Sequence, residues 1–317
     1  MDAVKVAVIG YGHLGKWHAT KVEKTGLAKL VAIVESFPAN QQLAKSAHPE
    51  ALVVSSIEEV IDQIDAAIIV TPTSVHASLT KYLIQKNKHV FCEKPLTSEL
   101  KDSLEIESLL QDKKLILQVG HSERFHQAWE MIHSKYKKYL EAPLVGRLTR
   151  YAPFKGRATD VDVISDVMIH DMDLMVYLIG DKPLAVESFG QKIRTSKWDH
   201  ALCNFYFKSG SFISILSSRN HVTEVREVEL TSKNGTIFID LMKCEISIAP
   251  KDQVSEGVFV EKFAYEKRDH LQLEHEAFYK AILGKAPVPV NVQDGVYAVK
   301  MIDGALKSLE TSAKVNL

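Results

Sequence analysis

The run Lys5-Val6-Ala7-Val8-Ile9-Gly10-Tyr11-Gly12-His13-Leu14-Gly15 decides the fold. A strand-length apolar stretch passes through Gly-x-Gly-x-x-Gly straight into a helical pattern. In that setting the first glycine permits a tight turn, the second lets an anion approach the backbone, and the third lets helix and strand pack closely. The free N–H groups and positive end of the helix then suit a pyrophosphate. Gly10, Gly12, His13, Leu14 and Gly15 are therefore the candidate cofactor residues. The next strand pattern ends in Val34-Glu35, with Glu35 twenty residues past Gly15, where a carboxylate accepts hydrogen bonds from an adenosine ribose. Ser36 and Phe37 follow, and no arginine stands close by for a 2′-phosphate. The expected cofactor is NAD rather than NADP.

Outward from this turn, apolar β-rich runs at 5–9, 30–34, 52–54, 66–70, 89–91 and 115–119 alternate with helical patterns at 14–24, 41–47, 57–64, 75–86 and 98–112. Strict alternation implies right-handed βαβ crossovers and a parallel sheet covered on both faces. After about residue 145 the texture changes to strands at 147–153, 185–193, 202–207, 212–217, 225–231, 236–239 and 245–248. Turn signals such as Lys208-Ser209-Gly210 and Lys233-Asn234-Gly235 separate several of them, as antiparallel hairpins require. Helical patterns at 167–179, 270–283 and 292–309 complete the chain. The expected architecture is α/β: a Rossmann dinucleotide-binding domain over 1–121, then an α+β substrate-binding and oligomerisation domain over 122–317 with a largely antiparallel open sheet.

Composition bounds the function. The 317 residues carry 39 Lys plus Arg against 40 Asp plus Glu, a net charge of −1, so the basic footprint of a nucleic-acid binder is absent. A hydrophobic share of 46% is that of an ordinary globular protein. No signal-like segment precedes the first strand, and no apolar run approaches the ~20 residues of a membrane span. Three widely spaced cysteines, Cys92, Cys203 and Cys244, suit reduced thiols and form no C-x-x-C knuckle. A cytoplasmic protein without membrane or nucleic-acid partners is expected, with Cys92 buried and inert.

Three further segments narrow the reading. Val70-Thr71-Pro72-Thr73-Ser74-Val75-His76 follows one strand, Cys92-Glu93-Lys94-Pro95 follows the next, and Asp166-Val167-Met168-Ile169-His170 opens a later helix. Together with the glycine turn they resemble the Gfo/Idh/MocA family of oxidoreductases, over essentially the whole chain. Gln118-Val119-Gly120-His121-Ser122-Glu123-Arg124-Phe125, and the stretches 153–157 and 160–166, are similar to a narrower group, the bacterial UDP-N-acetylglucosamine 3-dehydrogenases. That group oxidises a sugar 3-hydroxyl so that an aminotransferase can make a 3-amino sugar for lipid A. It usually carries Asn where this chain has His126 and Gly where it has Asp162.

The resemblance implies that Thr71, Pro72, Thr73, His76, Glu93 and Lys94 line the cofactor. It implies substrate contacts from Lys94, Arg124, Phe125, Arg157, Asp166 and His170, and catalysis by Lys94, His170 and Asp166. Alcohol oxidation needs a base for the hydroxyl proton and positive charge where alkoxide character develops. Lys94 can donate to the oxygen, and a histidine, with an unperturbed pKa of ~6.5, can take the proton; the reverse assignment, with lysine as base, stays open. Asp166 and His170 lie four apart, on one face of a helix. A planar guanidinium at Arg124, or less strongly Arg157, suits a diphosphate. Asp171, rather than Asp173, is expected near the site, and no metal is expected. Other readings are a dehydrogenase of inositol or a UDP-sugar uronate, and a silent dinucleotide-binding regulator, which would be expected to lack Lys94 or His170. A homodimer or homotetramer through the second domain's sheet is expected, since its outer face needs cover.

Overall fold

The computed structural model describes residues 3–251 and 261–317; Met1 and Asp2, part of the expectation about a leader, lie outside them. Contacts divide the chain into two compact units, Met1–Ser122 with Asp269–Val299, and Glu123–Arg268 with Lys300–Leu317.

In the first unit, β1 (Val4–Ile9), α1 (His13–Val22), β2 (Ala28–Val34), α2 (Pro38–Ala47), β3 (Leu52–Val54), β4 (Ala66–Ile69), α3 (His76–Gln85), β5 (His89–Glu93), α4 (Leu100–Leu110) and β6 (Leu117–Gly120) follow in turn. The six strands pair in parallel in the order β3-β2-β1-β4-β5-β6, the doubly wound arrangement expected from the alternation. β4 is buried at every position, as a central parallel strand must be.

The helix expected over 57–64 is instead two short 3-10 turns, Ile57–Glu59 and Ile61–Gln63. Ile57, Val60, Ile61 and Ile64 are buried as the helical spacing implied, but Val60 takes φ −129°, outside the helical range, and β-branched residues form helices poorly. Ser56 and Glu59 close a capping box around the first turn only.

The second unit holds α5 (Gln127–Lys135), β7 (Val145–Tyr151), a π-helical turn (Ile164–Met168) running into α6 (Ile169–Ile179), then β8 (Ala185–Gln191), β9 (His200–Tyr206), β10 (Phe212–Ser218), β11 (Val225–Ser232), β12 (Gly235–Asp240), β13 (Glu245–Pro250) and β14 (Glu261–Ala264). A last strand, β15 (Val315–Asn316), adds an edge, giving the order β14-β13-β12-β11-β7-β10-β9-β8-β15. Every pairing is antiparallel except β7 with β10, so the sheet is mixed at its centre. β9 alternates: Ala201, Cys203 and Phe205 are buried, while Leu202, Asn204 and Tyr206 are half-buried on the opposite face.

A single boundary near residue 121 does not describe the chain. The helix α7 (His270–Ile282) returns to the first unit, because Phe278 and Tyr279 complete the core formed by Val6, Val8, Ile33, Ile68 and Phe91. The division then falls within α8 (Val292–Thr311), after Val299.

Candidate active site

In the first unit the glycines behave as the motif requires. Gly10 has φ +97°, and a Cβ there would lie 2.7 Å from the Val70 carbonyl oxygen; a Cβ on Gly15 would lie 2.1 Å from that of Gly10. A Cβ on Gly12 would meet nothing within 4 Å, so this backbone is approachable from outside. Gly12 caps α1 without any side-chain hydrogen bond, and no acidic residue occupies the first turn. That end of the helix fits an anion. Glu35 stands at the end of β2 and is buried. Its Oε2 accepts from the Tyr11 N–H (2.9 Å) and from Asn40 (3.3 Å), and its Oε1 from the Phe37 N–H (2.8 Å). The carboxylate thus braces the glycine turn, and its Oε1 retains acceptor capacity for a ribose hydroxyl. Phe37 beside it is 68% exposed, a flat apolar face that the sequence reading passed over.

His76 departs from expectation. It is 1% exposed, so it lies beneath the loops instead of lining them. Its Nε2 donates to the Thr71 carbonyl and its Nδ1 to that of Pro95, each at 2.9 Å. Carbonyls only accept, so both ring nitrogens carry hydrogen and the ring is a cation. Burial opposes that charge, but the Cys92 sulfur and the two carbonyls outweigh it and push the pKa up to about 9. His76 therefore ties the Thr71-Pro72-Thr73 turn to the Glu93-Lys94-Pro95 turn. Lys94 itself is half-buried, and its N–H donates to Glu93 Oε2 at 3.1 Å. Cys92 is fully buried.

In the second unit, Asp166 falls within the π-helical turn and His170 at the start of α6, both half-buried. Such turns recur at functional sites, and a wider turn keeps positions four and five apart on one face. The two aspartates beyond are not solvent-facing. Asp171 accepts both ends of the Arg150 fork at 2.8 Å, and Arg150 also reaches Glu123 at 2.9 Å. Glu123 takes a further bond from His126 (3.0 Å). One guanidinium thus serves two buried carboxylates, and their titrations separate. Burial raises both, but at Glu123 Arg150 and His126 outweigh it and hold the carboxyl well below its ordinary value; Asp171 stays raised, by burial and by the charge of Glu123.

Asp173 grips Arg124 in the same bidentate manner, at 2.6 and 2.7 Å, with the arginine side chain 9% exposed. The fork expected to meet a diphosphate is thus engaged within the fold, and an incoming phosphate would compete with Asp173 for it. Phe125 is half-buried and Arg157 exposed. The loop carrying Arg157 is anchored from behind: Arg219 donates to the carbonyls of Ala158 (2.6 Å) and Val161 (2.8 Å) while paired with Asp199 (2.7 Å). The two departures from the narrower group have local roles. His126 belongs to the Glu123 network, and Asp162 Oδ1 accepts from the Trp198 N–H at 2.8 Å.

Among the described residues, no group of three His, Cys, Asp or Glu is arranged to hold a metal ion, and no helix is long and apolar enough to cross a membrane. Arg150 and Arg219 were not marked by the sequence, because nothing local marks a residue whose partner lies tens of positions away.

A parallel doubly wound sheet with a phosphate turn, joined to a mixed-sheet unit bearing Asp-x-x-x-His, defines the class of two-domain dinucleotide-dependent oxidoreductases. Residues 4–121 match the NAD-binding Rossmann fold of the oxidoreductase family Gfo/Idh/MocA, and residues 156–317 match its C-terminal alpha/beta domain. The chain belongs to that family: it is an NAD-dependent dehydrogenase acting on CH–OH groups, of the sugar and cyclitol kind. It is 30% identical over 314 residues to UDP-N-acetylglucosamine 3-dehydrogenase of Acidithiobacillus ferrooxidans, covering 97% of this chain and 96% of that one. The structure of that enzyme superposes with a TM-score of 0.89 over 98% of this chain and 99% of that chain, at 27% identity. Inositol 2-dehydrogenase of Rhizobium meliloti is 25% identical over 332 residues, 99% of each chain. A levoglucosan dehydrogenase with NADH shares the fold at a TM-score of 0.91 and 18% identity, covering 99% of each chain.

Proposed function

We propose that this enzyme oxidises the 3-hydroxyl of a UDP-activated amino sugar, UDP-N-acetylglucosamine, to the 3-keto sugar. The observation that carries the reading is the 30% identity maintained over 97% of the chain with an enzyme of that name. NAD, when bound, would supply the hydride acceptor for the carbinol hydrogen. Gly10, Gly12 and Gly15 would hold its pyrophosphate at the α1 terminus and Glu35 its ribose. Lys94 donates to the oxygen as alkoxide character develops, and His170 takes the hydroxyl proton, with Asp166 orienting the ring or a neighbouring sugar hydroxyl. The keto product suits an aminotransferase, as 3-amino sugar and lipid A synthesis requires.

Reduction of NAD followed at 340 nm, with UDP-N-acetylglucosamine and myo-inositol as parallel substrates and an aminotransferase to draw off the ketone, tests this. Turnover of the nucleotide sugar alone is expected, and turnover of inositol alone would replace the substrate assignment. Lys94→Ala and His170→Ala are each expected to lower kcat about 10²- to 10⁴-fold.

The half-buried outer face of β9 and β10, with Leu202, Tyr206, Phe212 and Leu216, favours a homodimer or homotetramer formed through this sheet. Light scattering at micromolar protein is expected to give a multiple of the monomer mass, and a monomer would dismiss that assembly.

A further inference from the structure

A row of buried polar side chains runs into the first unit's core behind Lys94. Glu93 Oε1 accepts from His18 Nε2 at 3.0 Å, His18 Nδ1 meets His275 Nε2 at 2.9 Å, and His275 Nδ1 meets the Tyr279 hydroxyl at 3.2 Å. His18, His275 and Tyr279 are all fully buried, and the ring of Phe91 packs on both histidines. We propose that His18, His275 and Tyr279 are positioning residues, a hydrogen-bonded chain that clamps the Glu93 carboxylate and through it the backbone of Lys94. The inference rests on the reading that Lys94 takes part in the reaction.

The hydrogens can be counted. An ionised carboxylate only accepts, so His18 must carry hydrogen on Nε2. His275 is neutral: burial, with the charges of His18 and Lys21 added, holds it well below the ordinary histidine value. Burial likewise pushes the Tyr279 hydroxyl up, so it keeps its proton. With His18 neutral, Tyr279 donates to His275 Nδ1 and His275 Nε2 donates to His18 Nδ1, so every bond points toward Glu93. With His18 protonated, both outer bonds reverse, His275 donating to the tyrosine oxygen. In either state His18 presents N–H to Glu93 and no hydrogen bond is lost. The charged groups around the row are Glu93, Lys94 and Lys21, the last paired with Asp269.

Glu93 is also held by shape. Its other oxygen receives the Lys94 N–H, and a Cβ on Gly120, its cross-strand partner, would lie 2.9 Å from Oε1. A side chain there would press on the carboxylate, which sits between the His18 donor and the peptide that begins Lys94.

The test separates the donor from the bulk of the ring. In His18→Gln the side-chain amide occupies the Nε2 position and still donates; in His18→Leu nothing does. With the full chain and NAD, His18→Leu is expected to lower kcat about 10- to 100-fold with KM for the sugar within about twofold, while His18→Gln stays within about threefold of the parent. Equal losses in the two variants would overturn the proposal. Nitrogen-15 histidine NMR on the intact protein supplies a reading independent of turnover. A protected His18 Nε2–H is expected from pH 6 to 9, and an Nδ1–H tautomer with a bare Nε2 would overturn it. If Lys94→Ala keeps full activity while the NMR result stands, the role of Lys94 fails and the clamp does not.

Discussion

The polar row behind Lys94 in the first unit and the ion pairs of the second unit are buried by different rules. The first unit's interior row is made of two histidines and a tyrosine ending on one carboxylate, and two of its members lie four apart on one helix. The second unit's interior is ionic: Arg150 with Glu123 and Asp171, Arg124 with Asp173, Arg219 with Asp199. Neutral groups that exchange donor and acceptor roles tolerate burial at low cost provided each bond is made. Charges tolerate it less, and in the second unit each guanidinium is met by a carboxylate in register. Removal of one member is therefore more damaging in the second unit's ion pairs than in the first unit's row.

The largest effect expected is at Arg150. Arg150→Met strands two buried carboxylates and should cost about 3–5 kcal/mol in urea unfolding, and adding Glu123→Leu and Asp171→Leu should recover much of it. Tyr279→Phe, in the neutral row, should cost only about 0.5–1.5 kcal/mol. Similar losses in the two would break the contrast.

Acid and alkali should separate the histidine row from the Arg150 cluster next. His275 is depressed, so its contribution is present above about pH 6.5, the unfolded value, and is lost as pH falls from there toward its folded pKa. Glu123 and Asp199 are depressed carboxylates, the first by Arg150 and the second by the N–H groups of Thr195, Ile193 and Arg194, each against the upward pull of burial. Their contribution is present above about pH 4 and is lost only below it, with the raised Asp171 offsetting part. Hydrogen exchange, corrected for intrinsic rate, should therefore quicken in α1 and α7 between pH 6.5 and 5.5 before it changes in β7 and α6. His76 runs the other way. Its raised pKa means a contribution complete below about pH 6.5 and lost as pH rises through about 9, so the Thr71 and Lys94 turns should loosen first in alkali.

The smallest effect is expected at the surface. Arg147→Ala removes an exposed pair with Glu229 and should change stability by less than about 1 kcal/mol, which a melting curve will register as a shift of a few degrees at most.

Legibility in the sequence followed the same division. The parallel sheet, the phosphate turn and the Glu35 position rest on periodicities of two to four residues and on a spacing within one βαβ unit, all visible in a linear text. The 57–64 segment failed because its apolar spacing also fits two tight turns, and only backbone angles at Val60 tell them apart. Arg124 was proposed as a phosphate contact from its residue type, and its pairing with Asp173, 49 residues away, is visible only in the fold.

The amino-acid sequence by itself determined the fold class and the family and proposed the candidate site residues, because local pattern and short motifs carry them. Tertiary structure decided what those residues rest on. It set His76 between two carbonyls, paired Arg124 with Asp173, returned α7 to the first unit, and set His18 and His275 behind Glu93. The physical reason is that a buried polar group needs its partners supplied, and in this chain those partners come from distant segments that meet only when the cores close.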